Sequence, residues 1–169
     1  FGTRGQYPDV PHHMMVLCPR YKELLADIFH RKHLSEDFSL YLHRPTATDP
    51  SVAPPGCDTF YALSPVPHLD SATDWPATTE RYRLAVQEAL ERSVLPGLGQ
   101  HVVTSRVTTP LDFQDRLLLT KGFAVDDRGW QNFLVRTNRQ REKVKYLFLN
   151  RVIAQFPRRH HSPANLTNP

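Results

Sequence analysis

The chain has 169 residues, 40% of them hydrophobic, with 21 lysines and arginines against 17 aspartates and glutamates. That length is enough for one domain with a core of its own, and the composition is ordinary for a chain that folds in water. No run has the length of a bilayer-spanning helix, and no apolar stretch follows a basic start. The two cysteines, Cys18 and Cys57, stand far apart and form no C-x-x-C pair, so idle thiols are expected rather than a disulfide or a metal knuckle. The charge is uneven: residues 1–120 carry 11 basic against 14 acidic side chains, net −3, and residues 121–169 carry 10 against 3, net +7.

In chain order, Phe1 to Val10 reads as an incoming strand and turn, and Met14 to Leu17 as a short buried strand. Pro19 suits a first helical position. Tyr21, Leu24, Leu25 and Ile28 then recur at helical spacing, predicting an amphipathic helix from Arg20 to His30. Ser39 to Arg44 and Thr59 to Leu63 are rich in strand-forming types. Between them Pro45, Pro50, Pro54, Pro55 and Gly56 mark a stiff loop. Asp70 to Pro76 reads as a loop, with Thr78 or Thr79 capping a helix from about Glu80 to Val94. The apolar positions of that helix are Tyr82, Val86, Ala89, Leu90 and Val94, and Pro96-Gly97 stops it. His101 to Val107 alternates as a strand, and Pro110 starts a helix through Leu119. Val144 to Phe156 has a helical pattern ended by Pro157, and the last dozen residues read as disordered. The economical architecture is α+β (α/β), a mixed sheet with helices on one side.

The residues offer little catalysis. His12 and His13 are neighbours, and neighbours on a strand face opposite ways, so surface or packing roles are expected and no metal. His160 and His161 carry less weight still. Asp112 and Asp115 form either an acid pair or, more simply, a complement to a helix dipole. Neither G-x-G-x-x-G nor G-x-S-x-G occurs. The nearest phosphate-turn candidate, Pro96-Gly97-Leu98-Gly99, reads better as a helix end. Four residues are weak candidates to face a ligand: His43 and Arg44 at a strand end before the proline loop, and Tyr41 and Tyr61 on strands that could pair. For each the plainer alternative is structural, with Arg44 holding a carboxylate and the tyrosines serving as core aromatics.

The wording of the chain goes further than its physics. Pro11-His12-His13, Cys18-Pro19-Arg20-Tyr21 and Asp27-Ile28-Phe29 come first. Arg44-Pro45-Thr46-Ala47-Thr48-Asp49-Pro50, Ala53-Pro54-Pro55-Gly56-Cys57 and Leu63 to Leu69 follow. Asp74-Trp75, Leu95-Pro96-Gly97-Leu98 and Thr109-Pro110-Leu111-Asp112-Phe113 complete the series. In this order the words resemble the bacterial and fungal-type phytoene desaturases, relatives of the flavin amine oxidases. The resemblance implies a partial substrate domain over residues 1–118. Residues 119–169 are left as a divergent basic tail, partly helical and then disordered. Because the likeness fades near Leu118, where the charge also changes, the tail is read as unrelated or out-of-frame sequence rather than a nucleic-acid- or membrane-binding tail.

The resemblance also implies an FAD-dependent oxidoreductase of carotenoid biosynthesis that dehydrogenates phytoene to more conjugated carotenes. Such an enzyme is cytoplasmic and sits peripherally on a membrane that holds its substrate. The glycine-rich flavin-binding segments of that family are not in this chain, so no flavin ligand and no catalytic residue is carried over. The expectation is an internal piece of a larger enzyme, inactive alone. The alternatives are a non-catalytic module binding an apolar ligand or partner and, less favoured, a nucleic-acid binder driven by the tail.

Overall fold

The computed structural model describes residues 1–122. The helix expected over Val144 to Phe156, its stop at Pro157, the terminal disorder and His160-His161 all lie outside the described residues.

The strands form two small antiparallel sheets rather than one mixed sheet with helices on one side. In the first, β1 (Gly2–Arg4) lies between β4 (Cys57–Thr59) and β6 (Val102–Thr104). In the second, β3 (Leu40–His43) lies between β2 (His13–Val16) and β5 (Tyr61–Leu63). The segment expected as one strand, Thr59 to Leu63, is therefore divided at Phe60, where the chain leaves one sheet for the other. The reason is packing. Phe60 is 4% exposed, its ring stacks on Phe1 at 5.1 Å and meets the edge of Tyr7 at 5.8 Å, and its N–H donates to the Phe1 carbonyl. A residue anchored in this way cannot also continue a flat ladder.

The proline loop is built of turns. Pro45–Ala47 and Pro50–Val52 are single 3₁₀ turns. Pro54 to Cys57 closes with Cys57 N–H on the Pro54 carbonyl, and Gly56 takes the left-handed φ of 76° that a type II turn needs. Strands β3 and β5 then pair in register, Tyr41 opposite Leu63 and His43 opposite Tyr61.

Helix α1 (Tyr21–Phe29) buries Leu24 and Ile28 against Cys18, as the spacing predicts. Arg20, rather than Pro19, occupies its N-cap position, so Pro19 stands before the helix. Helix α2 (Trp75–Ser93) begins five residues earlier than the sequence reading placed it. Asp74 caps it, accepting from Ala77 N–H at 3.0 Å, and Pro76 sits in the first turn, where a missing N–H is no loss. Thr79 instead donates its hydroxyl to the Trp75 carbonyl at 2.5 Å, one turn into the helix and not as a cap.

Gly97, with φ of 74°, opens the short α3 (Leu98–His101), which shortens the strand expected from His101 to β6. Helix α4 (Pro110–Leu117) starts with a capping box, in which Thr109 and Asp112 each satisfy the other's backbone N–H. Asp112 is thereby held below the usual carboxylate range by the Thr109 backbone and hydroxyl. It is a cap and not half of a proton-sharing pair.

The main core gathers Val16, Leu40 and Leu42 from the second sheet with Phe60, Leu90, Leu95 and Leu98. Leu42 and Leu95 are fully buried. The outer face of the second sheet carries His13, His43 and Tyr61 in one row and Met15, Tyr41 and Leu63 in the next.

Candidate functional site

A cavity of about 330 Å³ opens between β5, the segment after it, helix α2 and helix α4. Its walls are mainly apolar. Ala62, Leu63, Pro65 and Val66 come from one side, Val86 and Leu90 from α2, and Val107 and Phe113 from the other. The spacing Thr79, Tyr82, Val86, Leu90 places one stripe of α2 along it. The sequence pattern identified that stripe but not the segments 105–109 and 64–68 that complete the enclosure.

Polar side chains are interspersed among these walls, His68, Ser105, Arg106 and Thr108 among them, and several others are committed to partners. The hydroxyls of half-buried Tyr82 and Ser64 share a hydrogen bond at 2.7 Å. Burial pushes the Tyr82 phenol up to about 12, against the pull of Ser64. Tyr82 thus stays protonated in any physiological range. Arg83 donates to Glu80 at 2.9 and 2.6 Å and to Gln87 at 2.8 Å. The Trp75 indole N–H is buried and has no partner among the described residues, an unmet donor in the cavity wall. Among the described lining residues no nucleophile stands beside an oriented base. The arrangement can enclose and orient a greasy molecule.

The four sequence candidates separate. Tyr61 lines the cavity and is half exposed. The other three do not line it. Tyr41 hydrogen-bonds through its hydroxyl to His13 Nδ1 at 2.7 Å. Arg44 is no solvated strand end: it is buried, donating through Nη1 to the Tyr7 carbonyl and to Asp58 Oδ2 at 3.3 Å. Asp58, 2% exposed, also accepts from Tyr7 N–H at 2.7 Å and from the Thr46 hydroxyl at 2.5 Å. Arg44 therefore ties the end of the second sheet to β4 of the first, holding a carboxylate as its structural alternative foresaw.

His43 joins a different group. Its Nε2 lies 2.7 Å from His12 Nε2, and its ring stacks on those of His12 and His13 at 4.6 and 5.0 Å. Burial, and then the neighbouring His12, hold the His43 imidazolium below its ordinary range. The argument that His12 and His13 must face apart does not apply here, because His12 lies before β2 and only His13 is on the strand.

The glycine-rich turn Gly97-Leu98-Gly99 does not make a phosphate cradle. The Gly99 N–H already donates to the Glu91 carboxylate at 3.2 Å, an anion where a pyrophosphate would need to be. These residues do not fit a flavin dinucleotide. Both cysteines are free thiols, and burial raises that of Cys18.

The chain is a relative of the phytoene desaturases. It is 51% identical over 152 residues to the neurosporene-forming phytoene desaturase of Cereibacter sphaeroides, covering 88% of this chain and 29% of that protein. It is 44% identical to the neurosporene-forming phytoene desaturase of Rhodobacter capsulatus and 40% identical to the lycopene-forming one of Pseudescherichia vulneris. Each of these alignments covers 88% of this chain, and they take in 30% and 31% of the two proteins. The chain thus spans about 30% of the length of the curated relatives it matches. The matched share is larger than residues 1–118 alone make up, so the similarity runs past Leu118, where the sequence reading placed its fading. No protein-family model matches the chain.

Proposed function

We propose that this chain is the substrate-handling segment of an FAD-dependent phytoene desaturase of carotenoid biosynthesis. In this reading the cavity between β5, α2 and α4 holds part of a long polyene while a flavin bound by other parts of the enzyme accepts the hydride. The observation that carries the reading is identity of 40–51% to phytoene desaturases over 88% of the chain. The apolar cavity supports it, since the chemistry belongs to the cofactor and the protein's share is to orient the substrate.

Residues 1–118 would then be part of the substrate domain. The net charge of residues 121–169, which is +7, suits anionic lipid better than it suits an out-of-frame origin, given how far the similarity extends. No helix among the described residues is long and apolar enough to cross a membrane. A peripheral seat on the bilayer, with the polyene entering from the lipid, is the arrangement we favour over a free-standing binding module or a nucleic-acid binder.

A chimera tests this. The matching segment of the Cereibacter sphaeroides enzyme is replaced by this chain and expressed in a phytoene-producing host. The chimera is expected to retain flavin and form coloured carotenes. Val86→Lys within it is expected to lower product at least tenfold while the purified protein keeps its flavin. Unchanged product from Val86→Lys would overturn the cavity's role, and a chimera that folds with flavin yet makes no product would overturn the desaturase reading.

A further inference from the structure

We propose that His12, His13 and His43 form a binding site for one zinc-class divalent metal ion. One ring nitrogen from each of the three lies within 4.8 Å of the other two. The site is separate from the cavity, since none of the three lines it.

The fold brings them together by register. His13 on β2 stands directly opposite His43 on β3, so both project from the same face of the sheet. His12 precedes the strand and is held in place by its backbone, whose carbonyl accepts from Arg44 N–H at 2.9 Å. That places its ring over both others, 4.3 Å from His13 and 4.6 Å from His43.

Two further contacts orient the rings as metal sites require. The Thr48 hydroxyl lies 2.8 Å from His12 Nδ1 and 3.3 Å from the Pro45 carbonyl, and by donating to the carbonyl it can accept from His12 Nδ1–H. In that arrangement His12 has its lone pair on Nε2, the atom that faces His43 Nε2. The Tyr41 hydroxyl bonds His13 Nδ1 at 2.7 Å. A hydroxyl or carbonyl on the far nitrogen is the usual support of a ligating imidazole.

The His12 and His43 nitrogens are 2.7 Å apart, sharing one proton. Two imidazoles on one tetrahedral ion at about 2.0 Å stand about 3.3 Å apart, so the ion enters where that proton now lies and opens the pair by about 0.6 Å. His43 then carries its proton on Nδ1, and no net proton need be lost. An all-imidazole donor set selects zinc, cobalt, nickel or copper over magnesium or calcium, and three protein ligands leave the fourth position to water.

Cobalt(II), titrated into the tag-free full chain, tests the site. Visible d–d absorption is expected to saturate at one equivalent and to be displaced by zinc. His13 is exposed, so His13→Ala leaves the melting of the metal-free protein unchanged and is expected to weaken cobalt binding at least tenfold. Thr48→Val is expected to weaken it by about 10- to 100-fold. His160→Ala with His161→Ala is expected to leave it intact. No saturable band, or a band that survives His13→Ala at full strength, overturns the proposal.

Discussion

Replacing Asp58 with alanine is expected to lower folding stability by about 3–5 kcal/mol, the range for breaking one side of a buried ion pair. The substitution removes the acceptor for three donors at once: Tyr7 N–H, Arg44 Nη1 and the Thr46 hydroxyl. It also leaves the Arg44 guanidinium buried without its carboxylate. Asp58→Asn is expected to cost less, because its carbonyl oxygen can still accept from Thr46 or Tyr7. Arg44→Met combined with Asp58→Leu is expected to recover much of the loss, since an apolar pair of similar volume replaces a desolvated charge pair. Urea unfolding of the three variants beside the unaltered chain measures this. An Asp58→Ala cost below about 1 kcal/mol, the value of an exposed pair, would contradict the buried network.

Phe60→Ala is the second large effect, expected to cost about 3–5 kcal/mol. Phe60 is where β4 of one sheet gives way to β5 of the other, and its ring fills the space between Phe1 and Tyr7. It also lines the cavity. The variant should therefore lose stability and enlarge the cavity together. Phe60→Leu keeps most of the volume but no ring stacking, and it is expected to lose less than half as much. Equal losses for the two variants would mean that the aromatic contacts, not the volume, hold the sheets together.

Local patterns carried the elements that are themselves local. The 3.6-residue repeat of Leu24 and Ile28 marked α1, and Pro110 marked the start of α4, though not the Thr109 cap before it. The start of α2 was present in the sequence as Asp74-Trp75-Pro76, a capping residue followed by proline in the first turn, but the proline drew the reading toward a loop. The single sheet was a matter of economy, and nothing local shows that Phe60 belongs to a core rather than a ladder.

The site features were harder to read because each joins distant residues. Asp58 stands out in no motif, and only the fold shows that it answers Arg44 across 14 positions. The histidine group depends on the pairing of His13 with His43, thirty residues along the chain, and alternation within one strand says nothing of that. The cavity likewise draws its walls from β5, α2 and α4, of which only the α2 stripe had a periodic signature.

The central claim is that the cavity between β5, α2 and α4 receives a polyene, and Trp75 in its wall reports on it. The measurement is tryptophan fluorescence of the full chain during titration with a C40 polyene of five conjugated double bonds, whose absorption overlaps indole emission. With Trp130→Phe as the background, so that Trp75 is the one indole, the account predicts quenching that saturates at one equivalent and is lost when Val86→Phe fills the cavity. Quenching that never saturates, or that Val86→Phe leaves unchanged, would contradict it.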